Sequence, residues 1–252
     1  MTQETPGNRL HLPTLAIAGF RGIRELSIRR LGRVTLLTGN NGAGKTTVLD
    51  AVRMGADTSS PAVRCRSLGP GVLEDDRIAK WWSAVAPTVD QDKVVDALRL
   101  VVDGVESADV VAEHTGRQRP RDRVIVRLKG DPAPVPLKHL GDGAVRVFGV
   151  ALALANSRNG FLLIDEVENG IHHSVQKRFW RMVLETAEAN NVQVLATTHS
   201  RDCVEGFAQA AAECQHIEGA LARINRRNGE TWAVEYPEKD MWVAAEQGIE
   251  VR

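Results

Sequence analysis

The chain has 252 residues, 43% hydrophobic and 25% charged, enough for one substantial core with a smaller lobe attached. Lys+Arg and Asp+Glu each number 32, so the formal net charge is zero; this argues against a strongly basic nucleic-acid-binding domain but leaves room for a local patch. Cys65, Cys203 and Cys214 are too few and too widely spaced for a disulfide framework or a zinc site. No apolar run is long enough to cross a bilayer, and Met1–Asn8 is polar with no signal-peptide core. A soluble, cytoplasmic protein with no membrane partner is expected.

In chain order, Leu10–Ala18 and Arg24–Ile28 alternate apolar and polar residues and predict two strands. Arg33–Leu37 is an apolar, β-leaning run that leads straight into glycines. After it, Val48, Leu49, Ala51, Val52 and Met54 recur at helical spacing. The stretch 55–136 opens with turns, continues with a short helix holding Trp81 and Trp82, and predicts a helix over Asp90–Val102. Strands over Val105–Ala112 and Arg123–Leu128 follow. We read it as a lobe or lid inserted into a single domain of residues 1–252. From Leu137 the pattern alternates again. It gives a helix within Leu140–Asn156, a buried strand at Gly160–Ile164, a helix over Ser174–Ala189, a strand at Val192–Thr197 and a helix over Arg201–Ala212. A hairpin (Ala220–Asn225 and Thr231–Glu235) and a final helix over Asp240–Gln247 complete the chain. Alternating strands and helices predict an α/β fold with a largely parallel sheet.

Four segments carry chemistry. Gly39-Asn40-Asn41-Gly42-Ala43-Gly44-Lys45-Thr46, continued by Thr47, matches the P-loop in full and sits between a strand and a helix. Its glycines let successive N–H groups face phosphates, and the helix adds its positive end. Lys45 would reach the β- and γ-phosphates of ATP, and the Thr46 hydroxyl would hold Mg²⁺. Asp165 and Glu166 end an apolar run. Asp165 is suited to the metal and Glu166 to deprotonating an attacking water. His199 follows another buried run, where a polar group could sense a γ-phosphate. Gly141, Asp142 and Gly143 precede an apolar helix. They read either as an anion-binding N-terminus or as a plain turn capped by Asp142.

Together these segments resemble the ABC-type ATPases, a P-loop NTPase fold whose head is a mixed sheet flanked by helices. Within that class they look like the RecF/SMC/OLD branch. The resemblance is carried by Ile17-Ala18-Gly19-Phe20-Arg21-Gly22-Ile23, Leu37-Thr38-Gly39-Asn40-Asn41-Gly42, Asp165-Glu166-Val167-Glu168-Asn169-Gly170-Ile171-His172 and Thr198-His199-Ser200. The chain is similar to small stand-alone OLD-like AAA ATPases of the AAA_21/AAA_15 type, whose short members end much as Ala245–Arg252 does. The resemblance implies two heads sandwiching two ATP molecules, with Leu140–Gly143 as the signature loop offered in trans and Arg21 near the nucleotide. Gly141 stands where that signature carries serine, and the Q-loop glutamine has no good counterpart, Gln91 being a poor one. The stretch from Ser200 to Arg252 is too short for a Toprim nuclease, so an effector would be a separate chain.

The expected function is therefore Mg²⁺-dependent ATP binding and hydrolysis, with a homodimer or an ATP-dependent dimer acting on DNA or on an effector protein, in a setting such as anti-phage defence. Arg117, Arg119, Arg121 and Arg123, or Arg29, Arg30 and Arg33, would be the DNA contacts, or else solvated charges. Two other readings are a nucleotide-binding regulatory module with little hydrolysis, which Gly141 keeps open, and the nucleotide-binding subunit of a membrane transporter, whose usual turn after the acidic pair is missing.

Overall fold

The computed structural model describes residues 10–59, 64–113, 121–236 and 241. The terminal helix expected over Asp240–Gln247, the ending Ala245–Arg252, Arg117 and Arg119 fall outside these apart from Met241. Two short strands, β1 (Leu15–Phe20) and β2 (Ile23–Ile28), form an antiparallel hairpin. Strand β1 begins five residues later than the alternation suggests. Leu15 and Ile17 are the buried partners of the pattern, and Pro13 lies just ahead of them.

The central sheet has six strands. β3 (Val34–Thr38) leads through the P-loop into α1 (Lys45–Ser59), and β4 (Cys65–Leu68) follows. After the middle of the chain come α4 (Asp142–Ala155), β8 (Phe161–Ile164), α5 (Gln176–Ala189), β9 (Gln193–Thr197) and α6 (Arg201–Glu213). The hairpin β10 (Gly219–Arg227) and β11 (Glu230–Tyr236) closes it. The spatial order is β11-β10-β3-β9-β8-β4, parallel throughout except for β11. Asn228 and Gly229 both take positive φ (54° and 81°), as a two-residue hairpin turn requires. Strand β4 lies within the stretch assigned to a lobe, yet it is the edge strand beside β8.

The rest of that stretch comprises α2 (Asp75–Val85), α3 (Gln91–Leu98) and a three-stranded antiparallel sheet of β5 (Val105–Glu113), β6 (Arg121–Leu128) and β7 (Val135–Pro136). A short 3₁₀ turn, Leu137–Leu140, leads from it to α4.

Each central strand alternates between two apolar clusters. Leu37, Leu163, Leu195 and Ile224 join β1, β2 and α1 on one face. Leu36, Leu162, Ile164, Val194 and Ala196 meet α4, α5, α6, α2 and α3 on the other. Burial on both faces explains why β3, β8 and β9 read as continuous apolar runs. Among the described residues no helix is long and apolar enough to cross a membrane.

Candidate functional site

Because β3, β9 and β8 are adjacent and parallel, the loops after all three open at one edge of the sheet. That edge is where ligands bind in open α/β sheets. The topology therefore brings the P-loop, Asp165–Glu166 and His199 to one place, although 153 positions separate Thr46 from His199 in the chain.

The P-loop curls through Gly39, Gly42 and Gly44, with φ of 134°, 78° and 106°. At Gly39 a Cβ would lie 2.2 Å from the Ile224 carbonyl oxygen, so only glycine lets the loop leave β3 alongside β10. Asn40, Asn41 and Ala43 complete the curve, with Ala43 buried and its N–H donating to the Asn40 carbonyl at 3.1 Å. Lys45 is 8% exposed. Its Nζ donates to the Gly39 carbonyl at 2.6 Å and the Asn40 carbonyl at 3.2 Å. Burial pushes its ammonium below the usual lysine range, and Asp165, Glu168 and Glu166 pull it partly back. Next to it, the Thr46 hydroxyl donates to Asp165 Oδ2 at 3.0 Å, while Thr47 continues into α1.

Asp165 is held from its other side by Thr197, whose hydroxyl donates to Oδ1. The same Thr197 oxygen accepts the Glu166 N–H at 2.9 Å. Glu166 has φ of 46°, a left-handed conformation uncommon for a residue with a side chain. Asn169 Nδ2 donates to Glu166 Oε2 at 2.9 Å and to the Pro70 carbonyl at 3.1 Å. Beneath the turn lies Arg146, 6% exposed. It donates to the carbonyls of Gly69 (2.7 Å), Asp165 (2.6 Å) and Glu166 (2.9 Å). A rigid guanidinium fork suits three diverging carbonyls in a way that lysine does not.

His199 follows β9 with its side chain 46% exposed. Its backbone N–H donates to Glu168 Oε1 at 3.0 Å, and its Nδ1 lies 3.2 Å from the same oxygen. Ser200 caps α6 by accepting the Cys203 N–H.

The Gly141–Gly143 loop meets the turn after β8. Gly141, at φ 93°, is the N-cap of α4, and no side chain caps the helix. Asp142 is thus the first helical residue and not the cap, its charge lying at the positive end of the helix. A Cβ on Gly143 would sit 2.4 Å from the Gly170 carbonyl oxygen, so this glycine serves a close contact inside the chain. Arg21, at φ 49° in the β1–β2 turn, forms an ion pair with Asp50 on α1 and so joins the P-loop helix from outside.

Thr46 and Asp165 supply one hydroxyl and one carboxylate oxygen facing each other. Such a donor set fits Mg²⁺, which takes few protein oxygens and keeps the rest for water and phosphate. Among the described residues no cluster of three or more His, Cys, Asp or Glu could hold a metal. Next to Asp165, whose N–H donates to Leu68, the chain runs through Gly69 and Pro70. No glutamine stands there, and Gln91 begins α3. Two of the arginines proposed for DNA are engaged within the chain. Arg33 is buried and bonded to Glu188 and Asn191, both at 3.0 Å, and Arg30 pairs with Glu218 at 2.8 Å. Sequence reasoning gave no role to Thr197, Asn169, Arg146 or Glu168. Their signal is a tertiary contact and not a local motif.

A family model described as "AAA domain, putative AbiEii toxin, Type IV TA system" matches residues 83–202, and one described as "AAA domain" matches residues 14–76. Over 91 residues the chain is 35% identical to the uncharacterized protein MJECL11 of Methanocaldococcus jannaschii, covering 36% of this chain and 78% of that one. It is 31% identical over 91 residues to an ATP/GTP phosphatase of Helicobacter pylori, covering 35% of this chain and only 25% of that relative. The SMC head domain from Thermotoga maritima superposes with a TM-score of 0.58 at 18% identity, covering 90% of this chain and all of that one. An SMC head bound to the C-winged helix domain of ScpA gives 0.60 at 13% identity, covering 91% and 98%. At these identities the structural likeness speaks for the fold.

Proposed function

This chain belongs to the ABC/SMC-type AAA ATPases, and on that premise we propose that it binds Mg·ATP and hydrolyses it. The observation that carries the reading is the convergence of the P-loop Lys45 and Thr46 on Asp165, with Glu166 and His199 at the same sheet edge. Lys45 and the backbone from Gly39 to Thr47 bind the phosphates; Thr46 and Asp165 would hold Mg²⁺, which when bound would offset the phosphate charge. Glu166 takes a proton from the attacking water as its oxygen bonds to the γ-phosphorus and the bond to the β–γ bridging oxygen breaks, releasing ADP. His199 meets the γ-phosphate or the water.

Steady-state turnover tests this directly. Glu166→Gln slows hydrolysis by about 10²-fold to 10⁴-fold while nucleotide still binds. Lys45→Ala instead weakens nucleotide binding by about 10-fold to 100-fold, the value of a hydrogen bond to a charged group. Turnover unchanged in Glu166→Gln would refute the assignment.

We further infer that ATP pairs two heads, with Gly141, Asp142 and Gly143 completing the partner's site and Arg21 flanking the nucleotide. Light scattering on Glu166→Gln should show a monomer that doubles in mass only with Mg·ATP. A mass indifferent to ATP would reduce the Gly141–Gly143 loop to a turn. The effector is a separate protein, a reading supported by the SMC head that binds a winged-helix partner. Action on DNA has less support, since Arg33 and Arg30 are engaged within the chain. The placement in anti-phage defence rests on resemblance alone. A second reading, a nucleotide-binding regulator with little hydrolysis, draws on Gly141, which lacks the hydroxyl of the usual signature; turnover that disappears in Glu166→Gln would exclude it.

A further inference from the structure

Glu168 has no part in the steps above, yet it is 9% exposed and sits among the groups that do. Its Oε1 accepts the backbone N–H of His199 at 3.0 Å and lies 3.2 Å from the ring Nδ1 of the same residue. Its Oε2 is buried without a hydrogen-bond partner. Its charge acts on both buried cations of the site, Lys45 and Arg146. Burying a carboxylate is costly unless cations and donors surround it, and a backbone cap alone would be met by a neutral acceptor.

We propose that Glu168 is a positioning residue for His199, holding the imidazole with Nδ1–H on its Oε1 and so presenting Nε2 to the γ-phosphate side of the site. The two contacts divide the task. The backbone bond fixes where the residue stands, and the ring bond fixes rotation and tautomer, which a free imidazole does not hold. Among the described residues Nε2 has no partner, so its lone pair remains open to accept a hydrogen from a water beside the γ-phosphate. The proposal rests on the reading of His199 given above.

The test is a double-mutant cycle on the full chain, measured by steady-state ATP hydrolysis. Glu168→Ala lowers kcat about 10-fold to 100-fold, the usual loss when an orienting partner is removed, with KM for ATP nearly constant. The Glu168→Ala/His199→Ala double variant is no slower than His199→Ala. Glu168→Gln keeps an oxygen acceptor for Nδ1–H and recovers most of the rate. The ¹⁵N shifts of the His199 ring report an Nδ1–H in the wild type and a tautomer mixture in Glu168→Ala. A double variant slowed by the product of the two single effects overturns this proposal alone. Wild-type turnover in His199→Ala overturns both it and the role given to His199. If Glu168→Ala does not fold, the wild-type ring decides, and a predominant Nε2–H tautomer overturns the proposal.

Discussion

The parallel strands β3, β9 and β8 and the antiparallel strands β5 and β6 both feed the same apolar core, but they handle polar groups differently. In β5 and β6 the buried positions are apolar, Ala108, Val124 and Val126, while Asp122 and Arg127 face out. In the parallel strands the apolar runs end in buried polar residues. Thr38, Thr197 and Thr198 are almost fully enclosed, and Lys45 and Glu168 nearly so. Buried polar groups are expensive unless paired, and here they pair chiefly with one another and with backbone. Enclosed polarity at one sheet edge marks the proposed site; an alternating, one-sided sheet marks support.

Substitutions in each region can break this contrast. The largest effect is expected at the edge itself: Glu166→Gln should cut ATP turnover about 10²-fold to 10⁴-fold, the range for a lost general base, with little change in thermal midpoint. In the supporting region the order reverses. Leu98→Ala, at a fully buried position of α3, should cost about 2–5 kcal/mol of stability in denaturant titration yet leave KM for ATP unchanged. A KM that rises with it would mean that the two regions are coupled. Gly143→Ala sits where they meet. Its new methyl would overlap the Gly170 carbonyl, so a stability loss of about 1–3 kcal/mol is expected, accompanied by slower turnover as the turn after β8 is displaced. The smallest effect belongs to the surface. Arg181→Ala removes an exposed pair with Glu185 and should leave the denaturant midpoint unchanged within error.

The same contrast explains what was legible in the sequence. β8 and β9 announce themselves because strands covered on both faces carry unbroken apolar runs, Phe161–Ile164 and Val194-Leu195-Ala196, and the P-loop because its backbone demands glycines. Strand β4, Cys-Arg-Ser-Leu, was hidden: it is an edge strand, and only Leu68 is fully buried. Asp165, Glu166 and His199 could be proposed from their places at strand ends. Thr197 looked like the last residue of a strand, and Arg146 like a lone charge near the start of an apolar helix. What each does depends on the strand order, which juxtaposes residues far apart in the chain and leaves no periodic trace.

The turn between β8 and α5 has a consequence for how such a protein can evolve. Within it Glu166 and Val167 bond Thr197, Glu168 bonds His199, Asn169 bonds Pro70 and Gly170 touches Gly143. Five consecutive residues address three separate segments, so each is tied to its place in the count. A single inserted or deleted residue would move every later side chain off its partner at once, whereas among the described residues the two-residue hairpin at Asn228–Gly229 addresses nothing beyond its own strands. Length is therefore the inherited quantity in the first turn and a free variable in the second. Natural variation among relatives should accumulate as substitutions in one and as insertions in the other.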